Sequence, residues 1–264
     1  MRAVDSIAIP IGLRTAGVLV VASVAGLMML GWPLLLEVQP GQRVEPPFVF
    51  LALLPLIIVV VLAEMSEGGM DSRVLAVLGV LSAINALMRG LGAGTAGIEL
   101  VFFLLILGGR VFGAGFGFVL GSTSLFASAL LTAGVGPWLP FQMICAAWVG
   151  MGAGLLPRRI GGRGIAGRGE IALLVVYAVV ASFAYGLLMN LSSWPFSLGI
   201  AVPGHEGSLS YVAGAPMLEN LHRFGIYTLL TSTGGWDVGR AVTTAIAIVV
   251  LGPAILTTLR RAAR

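Results

Sequence analysis

The chain has 264 residues, 58% of them hydrophobic and 10% charged, with a mean hydropathy of +1.04. Soluble domains average roughly 25% charged residues, so this chain lacks the polar surface to cover itself in water. Its net charge of +4 comes wholly from arginine, since no lysine is present. Those arginines sit between apolar runs rather than in one patch, which points to membrane topology and away from nucleic-acid binding.

The apolar runs are continuous rather than alternating, which argues against a transmembrane β-barrel. The 38 glycines suit close helix packing in lipid. The expected fold class is therefore all-α, a polytopic membrane protein. A spanning helix needs about 20 apolar residues, and eight spans are expected.

The first span covers 15–36, after Arg2 and Arg14. That run is too long for a signal-peptide core and has no small-x-small cleavage site after it, so it reads as an uncleaved helix. A Pro/Gly-rich turn leads to a second span at 48–63, interrupted by Pro55. Glu64, Glu67, Asp71 and Arg73 form a polar loop before the third span, 74–88. The glycine-rich stretch 90–97 follows, then a short fourth span at 98–107. Gly108-Gly109-Arg110 reads as a tight turn into the fifth span, 111–131. A second turn at 132–140 leads to the sixth span, 141–156. The hydrophilic loop 157–170 precedes the seventh, 171–191. A long region, 192–235, holds short apolar pieces and both histidines, and the eighth span is 237–259. Within it, 220–230 could be a partly inserted helix.

Loops on the cytoplasmic side are enriched in arginine. With both termini cytoplasmic, eleven arginines fall on that side: Arg2, Arg14, Arg73, Arg110, Arg158, Arg159, Arg163, Arg168, Arg260, Arg261 and Arg264. Four fall on the other: Arg43, Arg89, Arg223 and Arg240. The expected location is a cell membrane, crossed several times.

The outer loops gather the remaining chemistry. They carry Arg89, Glu99, Trp138, Gln142, Asn190, Trp194, Glu219, Asn220, Arg223, Trp236, Asp237 and Arg240, besides His205, Glu206 and His222. Charges at membrane depth face protein or a wet cavity, and aromatic rings among convergent polar groups line small-molecule pockets. Trp138 and Gln142 are four apart and share a helical face. Asp237 and Arg240 are three apart at a helix start, where they can pair with each other as readily as with a ligand. Glu219, Asn220 and Arg223 present the same choice. The glycine run 90–97 has no preceding strand and no lysine, so it is no phosphate loop; it suits a flexible flap. Neither histidine has metal-ligand spacing, and the single Cys145 lies in an apolar run. No cofactor, metal site or catalytic residue is expected.

Several stretches together resemble a known family, the substrate-binding S components of energy-coupling factor (ECF) vitamin transporters. They are Ala76 to Arg89, Glu99 followed by Val101 to Arg110, and Phe112-Gly113-Ala114-Gly115-Phe116-Gly117. Further along come Gly136-Pro137-Trp138-Leu139-Pro140-Phe141-Gln142, Tyr185-Gly186 to Asn190, and Gly235-Trp236-Asp237-Val238-Gly239-Arg240. The likeness covers roughly 72 to 260, and cobalamin-type members look nearest. It implies a six-helix substrate-binding membrane core, here 72–264, with the ligand under outward-facing loops. Residues 1–71 would add two further spans. It also implies partners: a membrane coupling subunit and two cytoplasmic ATPases, driving import of a vitamin, cobalamin being one candidate. The family's docking helix maps to the third span, where Gly79, Ser82, Ala83 and Ala86 recur four apart as two small-residue pairs. Packing within the chain would use the same pairs, as would Ala22 with Gly26 on the first span.

Two other functions compete. An intramembrane serine hydrolase would need Ser122, Ser124 or Ser128 within reach of His205 or His222. An ion-coupled transporter would need ionisable groups near the bilayer midplane.

Overall fold

The computed structural model describes residues 12–35, 59, 72–92, 98–196 and 207–264. The helices are α1 (Leu13–Leu30), α2 (Trp32–Leu35), α3 (Ser72–Gly92), α4 (Val101–Phe112) and α5 (Ala114–Leu131). They continue with α6 (Leu139–Leu155), α7 (Arg168–Ser193), α8 (Met217–Thr228) and α9 (Val238–Ala262). A π-helical segment, Leu229–Asp237, joins α8 to α9 without a break. A two-residue antiparallel hairpin pairs β1 (Arg159–Ile160) with β2 (Arg163–Gly164). Among the described residues, five helical stretches are long and apolar enough to cross a membrane, and α4 and α6 are shorter apolar helices between them. The protein is a multi-pass helical membrane protein. The expected second span falls almost wholly outside the described residues, as do His205 and Glu206.

The expected turn at Gly108-Gly109-Arg110 is not where the chain reverses. All three residues lie inside α4 and are buried. The chain turns instead at Gly113, whose φ of 109° only glycine adopts readily. Gly108 and Gly109 serve contact: a Cβ on Gly109 would overlap the backbone of Gly150, and one on Gly108 would strike Leu120. The same device joins α5 to α6, where Gly117 faces Gly150, Gly121 faces Ala146 and Gly154 faces Ala114, each with no room for a side chain. Removing side chains lets helix backbones touch, which is how apolar helices gain contact in lipid, where hydrophobic exclusion drives nothing.

The helices α4, α5 and α6 form the interior, with α4 buried along its whole length. Around them stand α3, α7 and α9, whose exposed Val80, Val176, Val180, Val249 and Val250 suit a lipid boundary. Helix α1 lies on α6 and α7. Gly26 of α1 packs against Ile144 and Trp148, and the Trp148 indole donates to Ser23 Oγ at 3.0 Å. Beyond the break at Gly31, the Trp32 indole donates to the Ser192 carbonyl and its ring stacks on Phe196. The pair Ala22 and Gly26 is thus used within the chain, both residues being buried.

At the arginine-rich end, Arg110 is fully buried rather than in a loop. Its Nε donates to Glu170 Oε1 at 2.8 Å, and its Nη1 donates to the carbonyls of Leu156 and Pro157. Arg260 donates to both Glu170 oxygens at 2.7 Å. One buried carboxylate therefore ties α4, α7 and α9 together where the 157–167 connection passes. The expected hydrophilic loop 157–170 is shorter than its polarity implies, because α7 begins at Arg168 and takes Glu170 into its first turn.

Candidate ligand site

The opposite end of the bundle holds a cavity of about 530 Å³. Its walls come from the carboxyl ends of α3, α5 and α7, the segment before α4, the amino end of α6, and the π-helical segment with the start of α9. Seven of the twelve candidate binding residues line it: Arg89, Glu99, Trp138, Gln142, Asn190, Trp236 and Arg240. They come from five separate stretches of sequence and converge because alternate helices end there.

Two arginines organise the polar lining. Arg240 is 6% exposed; its Nε donates to Glu99 and its Nη1 to Asp237 Oδ1 and to the Ser182 carbonyl, at 3.0 and 3.2 Å. Its guanidinium lies 4.8 Å from the Tyr185 ring centre and 5.4 Å from that of Phe102, a cation–π setting. Arg89 is held by neutral groups instead. It donates through Nη1 to Ser128 Oγ at 3.2 Å and through Nη2 to Gln142 Oε1 at 3.0 Å. Asn190 lines the same space, and its buried Nδ2 has no hydrogen-bond partner among the described residues. Trp138 and Trp236 are half-exposed at the rim.

Five candidates do not line the cavity. Asp237 is buried behind Gly186, where it accepts hydrogen bonds from Ser232 and Arg240. Its role is to hold Arg240. Trp194 is buried, donates to the Leu209 carbonyl at 2.7 Å, and packs edge-on against Tyr211. Asn220 clamps the Val212 backbone at both its N–H and its carbonyl. Arg223 bonds Asn220 and Glu219 along α8. Trp194 and Asn220 hold the 207–216 segment, Glu219 and Arg223 pair along α8, and all four stand outside the cavity. Burial raises the Tyr211 phenol above its ordinary pKa.

Residues not anticipated also line the cavity, among them Tyr185, Tyr227, Ser128, Thr132, Thr231 and Ser232. A partial signal was present: Ser128 with Thr132, and Tyr227 with Thr231, are helical neighbours four apart. Within region 192–235, the stretch 220–230 expected as a partly inserted helix lies in helix that is continuous from 217 onward. Its π-helical part turns Thr231, Ser232 and Trp236 inward together; such wide turns recur at functional sites.

The small-residue positions of α3 divide between two faces. Gly79 and Ala83 are exposed, and nothing lies near Gly79. Ser82 and Ala86 are buried, and the Ser82 hydroxyl shares a 2.7 Å hydrogen bond with Thr123 of α5. The latter two pack within the chain and present no surface outward. The hydrolase arrangement is not formed among the described residues: Ser122 donates to the Phe118 carbonyl, Ser128 accepts from Arg89, and His222 is exposed on α8.

A family model described as "ECF transporter, substrate-specific component" matches residues 73–262. Nothing among the curated proteins or the solved structures matches the chain significantly.

Proposed function

Because the chain belongs to the ECF transporter substrate-specific component family, we propose that its cavity captures a vitamin-like micronutrient outside the cell for import driven by partner subunits. The observation that carries this is the convergence of Arg89, Gln142, Asn190 and two tryptophans on one cavity at the arginine-poor end of the bundle. With both termini cytoplasmic, that end faces outward, as the bias of arginines to the other end supports.

The volume bears on the substrate. Pockets for drug-sized molecules run from about 300 to 1,000 Å³, and a cavity of about 530 Å³ sits inside that range. A corrinoid is several times larger than such a molecule and would require the walls to part. A smaller vitamin fits the cavity as it stands.

The chain performs no chemistry in this scheme. ATP hydrolysis belongs to two cytoplasmic ATPase subunits, coupled through a membrane partner. The exposed strip of α3, with Ala76, Gly79, Ala83 and Gly90 along it, offers that partner a flat approach. The rigid glycine-packed interior of α4, α5 and α6 would let the loaded bundle reorient as one body.

Reconstitution tests this. Vesicles holding the chain with its coupling subunit and ATPases should accumulate the co-purifying small molecule only when ATP is supplied. Uptake by vesicles holding the chain alone would overturn the scheme in favour of an ion-coupled transporter, for which Glu99 and Asp237 are the candidate groups.

A further inference from the structure

Resting on that reading, the cavity lining also narrows the kind of molecule bound. We infer that the ligand is a small organic anion with a flat, unsaturated body, its acid group received by Arg89.

The two lining arginines differ in how their charge is met. Arg240 is answered by two carboxylates, Glu99 and Asp237, so that cluster is net negative when both are ionised and offers an anion no free cation. Arg89 has only the neutral Ser128 hydroxyl and Gln142 carbonyl. Among the described residues, no carboxylate lies within ion-pair reach of it. A guanidinium has five N–H donors; two are occupied here, and the two acceptors fix the plane of the group. Arg89 is only partly buried, and with neutral partners alone its charge remains open to a ligand in the cavity. An anion bound against it meets that charge and makes charge-assisted hydrogen bonds. The amino end of α6 also meets the cavity at Trp138 and Gln142, and its helix dipole adds positive potential on the same side. Trp138 and Trp236, 52% and 43% exposed, supply flat apolar surface for the rest of the molecule.

A plainer role for Arg89 exists. It lies in the last turn of α3, where a cation offsets the helix dipole. In that case the charge of the ligand would not matter, and experiment separates the two.

Full-length protein in mild detergent is incubated with a small-molecule extract of the expressing cells. A parallel sample receives the same extract after passage over an anion exchanger. Occupancy is read by native mass spectrometry for wild type, Arg89→Gln and Arg89→Lys, with monodisperse elution as the check on folding. The inference expects an acid bound from the whole extract and not from the depleted one. It expects at least about tenfold lower occupancy in Arg89→Gln, the effect of losing a hydrogen bond to a charged group, and partial retention in Arg89→Lys. Binding of a neutral or cationic molecule, or undiminished occupancy in a folded Arg89→Gln, would overturn the inference and leave the capture role standing. An empty wild-type protein after the whole extract would overturn the capture role itself.

Discussion

Arg110 and Arg240 are both buried and both held by carboxylates, yet they sit at opposite ends of the bundle and do different work. Arg240 stands in the wall of the cavity, whereas Arg110 closes the far end with Glu170 and Arg260. Removing one partner of a buried pair leaves the other charge uncompensated, which costs about 3–5 kcal/mol. Glu170→Gln should therefore destabilise the protein by about that amount, because two arginines lose one carboxylate. Thermal unfolding in detergent, followed by tryptophan fluorescence, would measure it. An unchanged midpoint would mean the network contributes little. That Arg110 is an interior residue could not be read from the sequence: Gly-Gly-Arg is a turn signal, and only the backbone of Gly150 pressing on Gly109 shows why the glycines are there.

At the scale of elements, α3 shows how one helix serves two surfaces. Ala86 is 1% exposed, so Ala86→Leu should overpack the α3 contact and cost about 1–3 kcal/mol. Gly79→Leu points outward and should leave the melting temperature and ligand occupancy as they are. Under the proposed function it should nevertheless prevent co-purification of the coupling subunit. If the tagged Gly79→Leu protein still pulled down its partners at wild-type yield, the exposed strip of α3 would not be the docking face. The α5–α6 pair makes a stronger demand. Gly150→Val would drive a side chain into the Gly117 backbone, and no rotamer relieves a clash at Cβ. We expect aggregated or degraded protein instead of a monodisperse species on size-exclusion chromatography. The abundance of glycine in the sequence suits close packing, but does not say that these two helices pack on each other.

On the scale of the whole molecule, α1 sits outside the part matched by the family model, which begins at residue 73. Gly26 and Ser23 hold it to Trp148 of α6, and no residue of α1 lines the cavity. Gly26→Leu should lever α1 away from Trp148, seen as stronger quenching of tryptophan emission by a lipid-soluble quencher. Ligand occupancy should persist, since none of the cavity's lining belongs to α1. A loss of binding would instead make α1 part of the ligand-holding body.

Most helix positions were legible in the chain, because continuous apolar runs can satisfy their backbone in lipid only as helices. The helix ends around α4, the π-helical wall and the partners of α1 were not, since each depends on which surfaces come within a van der Waals distance. The same division holds for the site. Polar and aromatic residues near the outer ends of spans were marked as candidates by composition alone, and charge at membrane depth is costly wherever it lies. Which of them face the cavity, with Arg89 and Gln142 inside and Trp194, Glu219, Asn220 and Arg223 outside, was settled by tertiary packing. A helix presents four faces to its neighbours, and only the neighbours decide which face looks onto open space.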